Sequence, residues 1–139
     1  MHLDIITGAI LDEAIAIHRE LGPGLLESVY EVVLASALER RGVRADRQRP
    51  IAFSFRDLRF EDAFRADIIV EELVIVEVKS VDHLAPVHTK QILTYMRLAN
   101  VRVGLLLNFG AEAMKQGIKR VVRDLSPPSS PALRVNRRF

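Results

Sequence analysis

Two segments of the sequence, residues 73–80 and 101–109, are apolar on both of the faces that a β-strand presents. Strands of this kind must be covered on both sides of their sheet. Between them, residues 85–99 carry Ile92 and Met96 at helical spacing, which predicts a helix. A strand–helix–strand unit joins parallel strands by a right-handed crossover. This unit restricts the chain to an α/β architecture.

The first forty residues predict two helices. Apolar side chains recur at steps of three and four over residues 3–21, and the Gly22-Pro23-Gly24 segment ends this first helix. A second helix is predicted for about residues 26–41, with a buried face of Val29, Val33, Ala37 and Leu38.

The remaining segments complete a sandwich. Strands are predicted at 50–55, 58–60 and 65–70, the first two as a hairpin, and a last helix at about 111–122. The fold class is therefore α/β, an α/β/α sandwich with a mixed sheet of about five strands. We expect one domain over residues 1–123, followed by a flexible, basic, Pro/Ser-rich tail at 124–139.

Composition excludes several classes of protein. The 139 residues include no cysteine, so disulfides, thiolate metal sites and cysteine nucleophiles are absent. Neither a membrane span nor a signal peptide is apparent, and we expect a cytoplasmic protein. From Lys115 onward the net charge is +6, so the first 114 residues carry −4 of the total of +2. A basic end can attract a phosphate backbone, but on charge alone a solvated helix face and a frayed tail are the preferred explanation.

Charged side chains interrupt the apolar strand at residues 73–80. Glu77 and Lys79 are two residues apart and therefore share a strand face. Asp67 lies on the preceding strand, and its face depends on the turn. A two-residue turn at Glu71-Glu72 places Asp67 and Glu77 on opposite faces, whereas a three-residue loop ending at Leu73 pairs them. Only the second register brings two carboxylates together.

Converging carboxylates without cysteine or histidine suit Mg²⁺ or Mn²⁺ rather than zinc. A lysine beside such an ion could hold a water molecule or neutralise a phosphate oxyanion. Acid-x-Lys on a strand also occurs as an exposed ion pair, so the spacing alone is a weak signal. The preceding strand aspartate strengthens it.

An extended set of residues resembles a known family. The segments Arg65-Ala66-Asp67, Glu77-Val78-Lys79 and Gly24-Leu25-Leu26-Glu27-Ser28-Val29-Tyr30 look like those of the bacterial and archaeal GxxExxY proteins, which are assigned to the PD-(D/E)xK nuclease superfamily. The resemblance runs from about Ile5 to Val122 and includes His88, Gln91 and Tyr95.

The resemblance implies a role for each matched residue. Asp67 and Glu77 match metal-binding acids, Lys79 the catalytic lysine, Glu27 a helix acid near the metal, and Gln91 a catalytic polar residue on the next helix. Spacing adds further candidates for substrate contact: Arg65 shares a strand face with Asp67, and Tyr95 and His88 lie four and three residues from Gln91 on a helix.

Several of these residues also have simpler explanations. Glu27 could serve only the helix dipole. Tyr30 is at least as well explained as a buried, hydrogen-bonded tyrosine, Tyr95 as a core residue and His18 as a packing residue.

The resemblance implies a nuclease but gives no substrate. We expect a Mg²⁺- or Mn²⁺-dependent enzyme acting on nucleic acid, with DNA rather than RNA as the substrate. The alternative is a non-catalytic nucleic-acid-binding or regulatory module that keeps the nuclease fold. A domain of this size has little surface for duplex DNA, and a two-fold homodimer would present two sites to two strands.

Overall fold

The computed structural model describes residues 2–124 and 133–135. It contains three helices, a six-stranded sheet and one 3₁₀ turn at Met114–Gly117. The elements are α1 (Leu3–Leu21), α2 (Glu27–Arg40), β1 (Ala45–Phe55), β2 (Leu58–Val70), β3 (Val74–Lys79), α3 (Pro86–Ala99), β4 (Val103–Asn108), β5 (Ile118–Val122) and β6 (Leu133–Val135).

The sheet is mixed and is covered by helices on both faces. Its strand order is β5-β4-β3-β2-β1-β6, and only β3 and β4 are parallel to each other. One core lies between the sheet and α1 with α2, and a second core lies between the sheet and α3. The predicted α/β/α sandwich is confirmed, including the parallel pair of buried central strands.

The β1–β2 hairpin is longer than the sequence pattern suggested. Residues 58–70 form one continuous strand instead of two, and β1 begins at Ala45. β3 pairs with β2 only over Ile68–Val70, so most of the hairpin extends beyond β3. The backbones of β2 and β3 therefore stop pairing at the position of Asp67 and Glu77.

The predicted last helix is wrong. Residues 118–122 form the edge strand β5, antiparallel to β4. Met114, Ile118 and Val121 have helical spacing, but Gly117 ends the 3₁₀ turn so close to the carbonyl of Asn108 that no side chain fits there. The β-branched residues that follow suit an edge strand. Sheet pairing thus overrides the local periodicity.

The predicted flexible tail is only partly described. Leu133–Val135 pair with Phe53–Phe55 of β1, so this part of the tail adds a short strand to the sheet. Residues 125–132 and 136–139 lie outside the described part of the chain.

The buried face of α2 also differs from the predicted one. Leu38 is buried and Val33 and Ala37 are partly buried, as predicted, but Val29 is 40% exposed, and Tyr30, Glu31 and Leu34 are buried as well. The true face is therefore rotated by about one residue, which turns an acid toward the sheet.

Candidate active site

The turn between β2 and β3 sets the position of Asp67. Glu71 and Glu72 have positive φ angles of 50° and 57°, and the N–H of Leu73 donates to the carbonyl of Val70 at 2.9 Å. Val70 then pairs with Val74, with Leu73 as the extra residue. Continued to Asp67, this register places it across from Glu77. The structure thus has the register that brings the carboxylates together.

Asp67 and Glu77 interact where the strands part. The backbone N–H of Val78 donates to Asp67 Oδ2 at 2.9 Å. Glu77 is only 3% exposed, and its Oε1 is buried with no hydrogen-bond partner among the described residues. Burial first, and then the hydrogen bond to Asp67 and the Asp67 charge, raise the pKa of Glu77 to about 10, against the opposing charge of Lys79. This carboxyl therefore holds a proton at neutral pH.

Lys79, Gln91 and Tyr95 lie on the α3 side of the sheet, beside Glu77. Lys79 Nζ donates to Gln91 Oε1 at 3.4 Å. Burial, followed by the charge of Glu77, raises the pKa of Tyr95, whereas a hydrogen bond with Gln91 opposes this shift. The Tyr95 ring stacks on Phe64 at 4.0 Å between centroids. Tyr95 is thus half-buried, and it senses the charges of Glu77 and Asp67.

A cleft of about 640 Å³ opens on the α2 side of Asp67. Its polar lining consists of Glu27, Ser28, Glu31, Arg47, Gln48, Asp67 and Ser80. The exposed side chain of Glu27 therefore shares the cleft with Asp67, as the resemblance implied. The connection between α1 and α2 forms another wall, because Ser80 Oγ donates to the carbonyl of Leu25 at 2.8 Å.

Three residues of this cleft were not foreseen from the sequence. The carboxylate of Glu31 accepts from Arg47 Nη2 at 2.7 Å and from Gln48 Nε2 at 2.8 Å. Gln48 Nε2 also lies 3.4 Å from Asp67 Oδ1. Burial first, with a further contribution from Asp67, raises the pKa of Glu31, and the hydrogen bonds from Arg47 and Gln48 counteract it. The available signal was the four-residue spacing of Glu31 from Glu27, which places both acids on one face of a helix.

The other candidates have structural partners. Arg65 forms an exposed ion pair with Asp62 at 2.7 Å. His88 Nδ1 accepts from the N–H of Ala85 at 3.0 Å and so caps α3, one turn before Gln91. These contacts bring neither Arg65 nor His88 to the carboxylates, and their contact with substrate stays a prediction from their spacing to Asp67 and Gln91.

Tyr30 and His18 have the packing roles that the sequence suggested as alternatives. Tyr30 is fully buried, and its hydroxyl donates to the carbonyl of Gly22 at 2.6 Å and accepts from the N–H of Leu25 at 3.1 Å. His18 is buried with Nε2 2.8 Å from the carbonyl oxygen of Ala111. Tyr30 thereby fixes the loop that borders the cleft.

The carboxylates fit a hard divalent cation in part. Asp67 and Glu77 supply adjacent oxygens, and the unpartnered Glu77 Oε1 is a buried acceptor that a cation would satisfy. Over residues 2–124 and 133–135, however, no three acidic or histidine side chains are grouped closely enough to hold an ion together. The fit therefore rests on two carboxylates, with Glu27 farther along the cleft.

Comparison with protein families agrees with this geometry. Residues 4–121 match the family model described as the PD-(D/E)XK nuclease superfamily. The match supports the class that the fold defines, a nuclease-type α/β domain. The chain belongs to the PD-(D/E)XK nuclease superfamily. Comparison with curated proteins and with solved structures gave no match.

No helix in the described part of the chain is long and apolar enough to cross a bilayer.

Proposed function

We propose that this protein is a metal-dependent nuclease that hydrolyses phosphodiester bonds, with DNA as its substrate. The observation that carries the proposal is the pairing of Asp67 with Glu77, beside Lys79, at the point where β2 and β3 part. The superfamily membership supports nucleic acid as the substrate class. Membership of the GxxExxY family, a cytoplasmic location and a homodimer with two sites are part of the same proposal.

Asp67 and Glu77 would hold Mg²⁺ or Mn²⁺, with Glu27 facing it from the cleft. A bound cation would supply an activated water molecule and neutralise charge on the phosphate. The Glu77 carboxyl must release its proton to bind the cation. The nearby ammonium group of Lys79 favours that release, because it stabilises the ionised carboxylate.

Lys79 is placed to act on the phosphate. Lys79 is the last residue of β3, and its amino group is oriented by Gln91 at 3.4 Å. A fixed positive charge there would stabilise negative charge that develops on the phosphate oxygens, and it could hold the attacking water molecule. Gln91 would therefore act by orienting Lys79.

Nuclease activity can be tested with two variants of the site. Purified protein should cleave DNA in the presence of Mg²⁺ or Mn²⁺, and Lys79→Ala and Asp67→Asn should each reduce the rate by at least about 100-fold. Asparagine at position 67 keeps an oxygen that can accept from Val78. Lys115→Ala, at an exposed lysine outside the cleft, is the matched control and should retain full activity. Cleavage that persists in Lys79→Ala would refute the assignment.

One observation favours a second function, a non-catalytic nucleic-acid-binding or regulatory module. The cleft beside Asp67 is lined by two other acids, Glu27 and Glu31, and by one arginine, Arg47, which is already paired with Glu31. An acidic lining attracts a cation more readily than a phosphate backbone, so the cleft can hold an ion without turnover of a phosphodiester, and in this second function nucleic acid would bind on another face of the domain. Salt-dependent DNA binding by fluorescence anisotropy, without cleavage in any divalent metal, would establish this second function.

A further inference from the structure

Gln48 has an unusual backbone conformation for a residue of a β-strand. It has a positive φ of 52°, an uncommon conformation for a residue other than glycine. Its neighbours pair regularly with β2, Arg47 with Ile68 and Arg49 with Ala66. Gln48 on β1 therefore lies opposite Asp67 on β2. Such backbone strain persists when the surroundings hold it, and it often occurs at functional sites.

The side chain of Gln48 connects two carboxylates. Its Nε2 donates to Glu31 Oε1 at 2.8 Å and lies 3.4 Å from Asp67 Oδ1. Asp67 Oδ2 accepts from the N–H of Val78 at 2.9 Å. The Asp67 carboxylate is thus held from β3 on one side and from β1 on the other.

Glu31 anchors Gln48 in turn. Its other oxygen, Oε2, accepts from Arg47 Nη2 at 2.7 Å and from Arg47 Nε at 3.0 Å. Glu31 is 4% exposed, whereas the Arg47 side chain is 38% exposed, so the acid is buried and its arginine partner reaches solvent. A buried acid with both oxygens engaged is a fixed support for the glutamine amide.

We propose that Gln48 is a positioning residue, which orients the Asp67 carboxylate from a support formed by Glu31 and Arg47. The inference rests on the proposed function, since orientation of Asp67 matters for cation binding. Residues that orient ligands in this way typically change metal affinity or activity by about 10–100-fold when they are removed. Once Glu77 is ionised to bind the cation, it no longer donates to Asp67, and the remaining hydrogen bond from Val78 would leave the carboxylate free to rotate.

Two variants of Gln48 test the positioning role. Gln48→Met keeps the length of the side chain but removes the donor, and Gln48→Ala removes the whole side chain. Both should weaken Mn²⁺ binding, measured by calorimetry, and lower kcat by about 10-fold or more while KM for DNA changes less than about 2-fold. Arg59→Ala, which removes an exposed ion pair with Glu61 on the same hairpin, is the matched control. Mn²⁺ affinity and kcat at the wild-type level in both Gln48 variants would overturn the proposal.

A spectroscopic measurement separates this inference from the nuclease function. If the wild-type protein neither binds Mn²⁺ nor cleaves DNA, the proposed function fails, but the link between Gln48 and Asp67 can still be measured. The side-chain amide signals of Gln48 in a ¹H–¹⁵N spectrum should shift in Asp67→Asn and stay in place in Arg59→Ala. Unchanged Gln48 signals in Asp67→Asn would show that no such link exists.

Discussion

Replacing Glu77 with glutamine should stabilise the metal-free protein while it abolishes activity. In the fold the pKa of Glu77 is raised from 4.5 to about 10. The folded state therefore binds one proton more than the unfolded state across this range, and stability falls as pH rises through it. At pH 7, about 2.5 pH units above the ordinary pKa, the free energy of unfolding is lower by roughly 3 kcal/mol than at acidic pH. Each further pH unit lowers it by about 1.4 kcal/mol more, until the pH reaches the pKa in the folded state.

Glutamine removes this penalty because it needs no proton. Its amide can donate to Asp67 as the protonated carboxyl does. We expect Glu77→Gln to be more stable than wild type by about 3 kcal/mol at pH 7 and by roughly 1.4 kcal/mol more at pH 8, with no gain below pH 4.5. The assay is urea unfolding in EDTA at pH 6, 7 and 8, followed by circular dichroism because the chain has no tryptophan.

The matched control is Glu112→Gln, at an exposed glutamate of the loop after β4. It should leave stability unchanged at every pH. If Glu77→Gln stabilises the protein equally at every pH, or destabilises it at pH 8, the pKa of Glu77 is not raised in the fold. Mn²⁺ should then stabilise the wild type but not Glu77→Gln, because only a carboxylate at this position binds the ion tightly.

Two further predictions concern the framework of the site. Tyr30→Phe removes the hydroxyl that bonds two backbone groups of the 22–25 loop, so urea unfolding should show a loss of about 1–3 kcal/mol; wild-type stability would contradict the proposed tether. Gly117→Ala should destabilise the fold by about 1–3 kcal/mol, because a Cβ there overlaps the carbonyl oxygen of Asn108. The control is Gly8→Ala, in open space on α1, which should stabilise the fold by about 0.5–1 kcal/mol. Equal effects of the two substitutions in thermal melts would argue against close packing of Gly117 on Asn108.

The central sheet could be predicted because burial on both faces leaves a clear pattern. Glu77 and Lys79 share a face by strand geometry alone. Asp67 could not be assigned with the same certainty, since its face depends on whether Leu73 belongs to the turn. The positive φ angles of Glu71 and Glu72 decide between the two registers. Two glutamates in the sequence favour neither register.

The second half of the site was missed because long-range packing decides it. The apolar positions of α2 allow more than one buried face, and contact with the sheet selects the one that includes Glu31. Gln48 reaches Asp67 because β1 begins earlier than its apolar alternation shows. For the same reason residues 118–122 read as a helix, although pairing with β4 makes them a strand.

The hydrogen bond from Val78 to Asp67 gives this acid two separate duties. It satisfies a main-chain donor between β3 and β2 where their backbones no longer pair, and it belongs to the proposed reaction centre. Selection for folding alone would therefore retain aspartate or asparagine at position 67, even in a descendant that no longer cuts nucleic acid. Lys79 has no comparable structural duty in the sheet. Among relatives of this chain, loss of the lysine would be a more reliable sign of lost activity than retention of the aspartate is of its presence.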